Sequence, residues 1–354
     1  MSDLRFDPLN NQWIAIATNR GDRPMEFVPM EQLRQQIVCP FCKGNEEETP
    51  AALAAYHADG SQLSEEDSSS WTVRVIPNRY PSFASEQSDE SHAKGADAND
   101  LLETVGPFRR SLSAGIQELI IPSSKHLTSL SDLNEDELNV SFRAYRDRLL
   151  AAENNQTIKH AMLFMNCRLA AGASLGHIHS QLIGSPVLSD FVRSRMLRDF
   201  DSVERTGKSL IQSVMDWEID QQKRVVAVTD HFCVLCPFAS RFAFQVWIVP
   251  RSETFSFLTC PDAVRDELAS LCRRTVARYE TVQDNPAYNL LFHTPPVNHS
   301  HEHLNGSESG QRPNQSYFEL FPRLTRAAGF EWGTDIWVNP VSPESAARRL
   351  RDDS

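Results

Sequence analysis

No stretch of this 354-residue chain approaches the roughly 20 consecutive apolar residues that a membrane-spanning helix requires. The opening, MSDLRFDPLNNQW, places no basic segment before an apolar one, so the expected location is the cytoplasm. Positive charge is also in short supply: 35 Lys and Arg stand against 47 Asp and Glu, a formal net charge of −12. Duplex nucleic acid needs a basic face to neutralise its phosphates and is therefore not expected as a main partner. An anionic ligand would have to find local arginine or lysine clusters. Seven cysteines, an odd number in a long chain, do not make a disulfide framework, and in a reducing compartment close pairs more often hold a metal.

What is present is enough apolar residue, 40%, for one large core or two ordinary ones. Residues 44–70 and 85–104 are rich in Glu, Asp, Ser, Ala and Gly and are expected as solvated loops. Between them Trp71, Val73 and Val75 alternate as in a half-buried strand. A strand ending at Pro122 follows, then a helix in SDLNEDELNVSFRAYRDRLLAAEN opened by a Ser/Asp cap, then strands in KHAMLFMNCR and GHIHSQLIG. The second half repeats this order: FCVLCPFASRFAF, QVWIVPRSETFSF, a helix from about Pro261 to Tyr279, YNLLFHTPP and SYFELFPRL. The repetition predicts two copies of one sheet-plus-helix unit. Tyr317 and Glu319 are expected where the first copy has its two histidines, which confines the chemistry to the first copy.

On a strand, residues i and i+2 share a face, so His177 and His179 would project side by side. They could ligate one metal, or one could ligate while the other reacts. The small residues of GASLG let backbone N–H groups approach a ligand, and Ser174 adds a hydroxyl, which makes a plausible phosphate cradle. Cys39 and Cys42 have the C-x2-C spacing of a zinc knuckle before a polar turn. A tetrahedral site needs two more ligands, for which His126 and one of the paired histidines are candidates. Cys233 and Cys236 have the same spacing but sit in an alternating apolar strand and are expected as core thiols. NHSHEH at 298–303 is expected as a solvated loop. Arg20 and Arg23 in NRGDRP offer planar forks suited to phosphate.

Together these segments resemble the galactose-1-phosphate uridylyltransferase family of the histidine-triad superfamily, whose members hold two tandem copies of the triad fold. LRFDPLNNQWIAIATNRGDRP, CPFCKGNEEETP, VIPNRYPSF, IIPSSKHLTSL, FMNCRLAAGASLGHIHSQ and the tail from FPRLTRAAGFEWGTDIWVNP are similar to family blocks in the same order. The resemblance implies an α+β chain of two tandem triad-like domains, each a mainly antiparallel sheet with a packed helix, over 1–200 and 201–354. The first would carry the metal and nucleophile, and the second the hexose-binding end.

It further implies His179 as nucleophile in a ping-pong transfer of UMP from UDP-glucose to galactose 1-phosphate. Neutral imidazole suits that role, and its phosphoramidate is labile enough to turn over. Cys39, Cys42, His126 and His177 would hold one structural zinc. Asn166, Ser174 and Gln181 would hold phosphate oxygens and orient the nucleophile, and Asn78 would contact the nucleotide. Arg20, Arg23 and Glu331 would reach across a homodimer with shared sites. An alternative is a nucleotide-sugar phosphorylase, with ADP-glucose or UDP-glucose as donor and phosphate as acceptor; a non-catalytic nucleotide-binding protein is the more distant one. Ile178 stands where the family pattern H-P-H has proline, and Asn339 near where some members have glutamine. With Gln315, Tyr317 and Glu319 before PRL, and only His293 nearby, a second metal is not expected.

Overall fold

The computed structural model describes residues 3–16, 38–64, 70–83, 102–111, 113–297 and 316–352. A hairpin of β1 (Asp3–Asp7) and β2 (Gln12–Ile16) comes first. Next are β3 (Ala54–Tyr56), β4 (Val73–Pro77), the separate hairpin β5 (Leu102–Val105) and β6 (Phe108–Ser111), β7 (Ile116–Ile121), α1 (Glu135–Glu153), β8 (His160–Cys167) and β9 (Ser180–Ser185). Helices α2 (Asp190–Thr206) and α3 (Leu210–Gln221) lead to β10 (Val225–Val228), β11 (Phe232–Leu235), β12 (Val246–Pro250), α4 (Asp262–Gln283), β13 (Tyr288–His293) and β14 (Tyr317–Pro322). The tail holds α5 (Gly329–Thr334), β15 (Trp337–Asn339), which joins β2 in parallel, and α6 (Pro343–Asp352).

Ten strands make one sheet in the order β10-β11-β12-β14-β13-β8-β9-β7-β4-β3. From its centre outward, β8-β9-β7-β4-β3 is matched by β13-β14-β12-β11-β10, and β8 and β13 pair antiparallel across the middle. The chain is thus α+β with two tandem triad-like units, as expected. Helices α1 and α4 pack on the same face: Leu138, Phe142 and Tyr145 join Leu268, Cys272 and Val276 in one core with Val75, Leu163, Leu182 and Leu320. Phe292 of β13 meets Phe142 and Tyr145 of α1, so the halves share that core rather than merely abut.

Local chemistry explains where the elements begin. Asn134, not the expected Ser or Asp, caps α1: its side chain accepts from the Glu137 N–H, and the Glu137 carboxylate accepts from the Asn134 N–H in return. Ser131 and Asp132 instead belong to a preceding 3₁₀ turn. Part of the segment expected as a solvated loop also forms a strand. Ala54 and Tyr56 are buried, because β3 supplies the sheet edge beside β4 and turns both side chains into the shared core.

Strand register corrects one further expectation. Pro122 follows β7 and Pro250 ends β12, which equates Leu119 with Trp247. Leu119 pairs with Gln181, and Trp247 pairs with Glu319. Glu319 therefore stands in the place of Gln181, and Tyr317 in that of His179, two residues from the expected correspondence.

Gly115 tests the register of β7 against β9. A Cβ there would overlap the Gly184 carbonyl oxygen, and Ile116 pairs with Gly184 in the adjoining ladder, so neither backbone can move without breaking strand hydrogen bonds. Gly115→Ala should cost about 2 kcal/mol of stability, in the range of overpacked core substitutions, read as a lowered urea midpoint with unchanged slope.

Candidate active site and metal centre

Four side chains from three separate segments meet beside β9. One ligand atom each from Cys39, Cys42, His126 and His177 lies within 4.8 Å of the others. Cys39 Sγ and Cys42 Sγ are each 3.6 Å from His177 Nδ1, and Cys42 Sγ is 3.4 Å from His126 Nδ1. Tetrahedral bonds of about 2.3 Å to sulfur and 2.0–2.1 Å to nitrogen give a sulfur–nitrogen edge of about 3.6 Å, so the spacing fits a single ion. Of the paired histidines left open above, His177 is the one that joins this cluster.

The surroundings prepare these ligands. His177 Nε2 lies 3.1 Å from the Ser123 carbonyl, which only accepts, so that nitrogen carries the proton and Nδ1 keeps its lone pair for the ion. Ser123 is buried and donates to Glu137, the capping carboxylate of α1, while Lys43 N–H donates to the Ser124 carbonyl and pins the knuckle to the same turn. Burial, reinforced by His126 and His179 nearby, lowers His177 to about 4, which keeps it neutral. Burial and the adjacent Cys39 push the Cys42 thiol up to about 11, so ion binding must displace protons.

His179 lies next to this cluster, on the extended stretch leading into β9 rather than within the strand, which starts at Ser180. Its Nδ1 is 2.9 Å from the His177 carbonyl, so Nδ1 carries the proton and Nε2 is the basic nitrogen. Burial lowers its pKa, and the ring is held edge-on by Phe41 at 5.2 Å. Phe41 also touches His177 at 6.0 Å, so the residue between the two cysteines braces both imidazoles. Spacing alone does not mark Phe41; the available signal is an aromatic inside a C-x2-C knuckle.

Several expected donors share the sheet face opposite α1. Gln181 pairs with Phe164 on β8, and continuing that ladder puts Asn166 opposite His179. Asn78, one residue beyond β4, commits its amide oxygen to the Tyr80 N–H. Ser174 is exposed on the loop between β8 and β9. Asn289 of β13, which no sequence motif marks, donates to Asn166. Arg20 and Arg23 lie outside the described residues, as do Gln315 and the 298–303 segment. Glu331 is elsewhere: it caps the start of α5 and lines a cavity of about 860 Å³ with Arg168, Arg323, Trp332 and Trp337, which His179 and Gln181 do not line. Asn339 is buried, donating to the Ser240 and Phe242 carbonyls, and has a structural position. Cys233 of β11 and Cys236, one residue beyond that strand, sit in different apolar clusters, as core thiols.

In the second half, the position of His179 is filled by Tyr317, whose ring stacks on His293 at 4.3 Å. Arg195 Nη1 donates to His293 Nδ1 at 3.0 Å, and His293 Nε2 donates to Glu319 at 2.7 Å, so both ring nitrogens are engaged and the ring is neutral. Burial holds His293 at about 4, and the Arg241 guanidinium, with His293, holds the buried Glu319 down to about 2.

A duplicated triad-type sheet bearing a four-ligand metal cluster beside a neutral imidazole defines a histidine-triad enzyme. A family model described as galactose-1-phosphate uridyl transferase, N-terminal domain, matches residues 1–189, more than half of the chain. The chain belongs to the galactose-1-phosphate uridyl transferase family. It is 28% identical over 353 residues to an ADP-glucose phosphorylase of Arabidopsis thaliana, covering 99% of this chain and 92% of that one. It is 26% identical over 361 residues to a galactose-1-phosphate uridylyltransferase of Thermotoga maritima, covering 99% and 98%. A crystal structure of an A. thaliana ADP-glucose phosphorylase with bound ADP-glucose superposes over 100% of both chains with a TM-score of 0.79 and 26% identity. Among the described residues no helix is long and apolar enough to cross a membrane.

Cys39→Ala or His177→Ala should lose the bound metal and lower the melting temperature, since a cluster absent from the unfolded chain contributes its binding free energy to folding; metal analysis and calorimetry on the same samples check this. His293 predicts a pH effect. Between its usual 6.5 and its folded value of about 4 the unfolded chain binds a proton that the folded chain does not. This group's contribution is therefore complete above pH 6.5 and lost as pH falls toward 4, by at most about 1.4 kcal/mol per pH unit. Urea midpoints at pH 7.5 and 5 should differ less in His293→Gln than in the unaltered chain.

Proposed function

We propose that this enzyme moves a nucleotidyl group from a nucleotide hexose to an acceptor phosphate through a covalent intermediate on His179. The observation that carries the reading is the ring of His179: Nδ1–H is tied to the His177 carbonyl and burial disfavours the charged form. Nε2 therefore has its lone pair at neutral pH without needing a separate base. It attacks the α-phosphorus, and the bond to the bridging oxygen breaks so that hexose 1-phosphate leaves. In the second half-reaction an acceptor phosphate oxygen attacks the same phosphorus and releases Nε2.

Asn166, Ser174 and Gln181 supply donors to the phosphoryl oxygens, where charge builds as the bonds change. Asn78 faces the nucleotide. The ion at Cys39, Cys42, His126 and His177 is a structural zinc, one per chain, favoured by the two-sulfur, two-nitrogen donor set. Arg20 and Arg23 reach the nucleotide, and Glu331 the hexose, across a homodimer; Glu331 lining a cavity that His179 and Gln181 do not line supports the exchange. The 1–200 unit carries the chemistry, and the 201–354 unit carries the hexose-binding end.

Two donor–acceptor pairs fit this centre. The family model and the T. maritima relative support UMP transfer from UDP-glucose to galactose 1-phosphate. The end-to-end likeness to ADP-glucose phosphorylase favours a second reading, AMP transfer from ADP-glucose to phosphate. Protein incubated with UDP-glucose or ADP-glucose carrying an α-phosphate label should retain acid-labile label from its true donor. His179→Gly should retain none while keeping its metal, and adding galactose 1-phosphate or phosphate should discharge the label. Absence of label from both donors, or turnover by His179→Gly, would overturn the reading.

A further inference from the structure

Asn289 lies on β13, in the half of the sheet that lacks the histidine pair, directly opposite Asn166 on β8. It is 7% exposed. Its Nδ2 donates to the Ala171 carbonyl at 3.0 Å and to Asn166 Oδ1 at 2.8 Å. The Ala171 carbonyl can only accept, so the Asn289 atom facing it must be nitrogen. The second proton on that nitrogen then requires oxygen as the Asn166 atom facing it. One fixed backbone carbonyl thus sets two side-chain amides in series, and Asn166 is left to present its NH2.

The surrounding chain holds the relay in place. Arg168 enters the 169–171 turn at φ 68°, ψ 162°, a conformation a non-glycine residue keeps only when its surroundings impose it. Its guanidinium donates to the carbonyls of Asn285 and Pro286, immediately before β13. Gly172, at φ +97°, closes the turn; a Cβ there would lie 3.4 Å from Asn166 Nδ2. The Asn166 NH2 therefore lies against the loop that carries Ser174.

The geometry points to Asn289 as a positioning residue that fixes Asn166 as a pure hydrogen-bond donor toward the transferring phosphoryl group. The inference rests on the His179 reaction proposed above. A reversed Asn166 amide would aim a carbonyl oxygen at phosphoryl oxygens. The resulting repulsion is greatest in the transition state, where the oxygens carry most charge. The effect belongs to the rate of transfer more than to ground-state binding.

Asn289→Asp is near-isosteric but sets a carboxylate against two acceptors, which draws the Asn166 NH2 toward itself. With the full-length protein and the labelled nucleotide sugar that the unaltered chain accepts, the rate of label transfer to His179 should fall on the order of 100-fold, as when one such donor is lost. The concentration for half-maximal rate should change little, and metal content should be unchanged. An aspartate buried among acceptors protonates readily and then regains a donor, so the deficit relative to the unaltered chain should shrink as pH is lowered. Asn289→Ser, which can serve one acceptor, should show a smaller deficit, and it decides the matter if the Asp variant loses metal or fails to fold. Labelling at the unaltered rate by a metal-replete variant, or a defect confined to half-saturation, overturns the role of Asn289. No label on the unaltered chain overturns the transfer reading itself.

Discussion

His177 is tied at three points, and the geometry of the site follows from them. Its Nδ1 faces the two cysteine sulfurs, its Nε2–H meets the Ser123 carbonyl, and its own carbonyl takes the Nδ1 proton of His179. The first contact places the residue where it can ligate an ion, and the second chooses the tautomer that allows it. The third chooses the tautomer of the neighbouring ring. A displacement of this backbone would therefore disturb the cluster and the orientation of His179 together. This is a physical reason for the two imidazoles to stand one residue apart: the carbonyl between them is short enough to transmit position but leaves each ring its own partners.

The two halves of the sheet show how one architecture supports different chemistry. Where the first half has His179 with Nε2 as its basic nitrogen, the second has Tyr317 and His293 stacked, with Arg195 bonded to both and Arg241 paired with Glu319. Both nitrogens of His293 are engaged, and α3 closes the face with Ile211 and Met215 packed on Trp247 and Tyr317. Buried charges of this kind are stable only when paired and hydrogen-bonded, and here the Glu319 carboxylate pairs with the Arg241 guanidinium and accepts from Gln245 and His293 as well. The second half thus places a neutral-histidine buttress where the first half has its metal-ligating cluster and His179.

Much of this was legible in the residues. The duplicated order of strands and helix, the knuckle at Cys39 and Cys42, and the adjacency of His177 and His179 beside it were foreshadowed by period, spacing and resemblance. Three things were not. The cap of α1 is Asn134, because a 3₁₀ turn consumes the earlier Ser and Asp. The edge strand at Ala54–Tyr56 is too short to show a period of two and is created by pairing with β4. The correspondence of Tyr317 with His179 depends on ladder register, which the loop lengths between equivalent strands conceal. Asn289 belongs to the same class: nothing in YNLLFH marks it, and its meaning arises only when β13 lies beside β8.

That last pairing bears on why the halves remain joined. A single triad-like unit would leave β8 as a sheet edge, with Asn166 facing solvent and its amide free to turn. Antiparallel pairing of β8 with β13 closes the edge and brings Asn289 and the Arg168 anchor at 285–286 to the site. Solvent would satisfy either orientation of an exposed amide, whereas a buried partner held by a fixed carbonyl satisfies one. The second half therefore contributes to the first without supplying a reacting group: it removes the alternatives open to the residues that line the site.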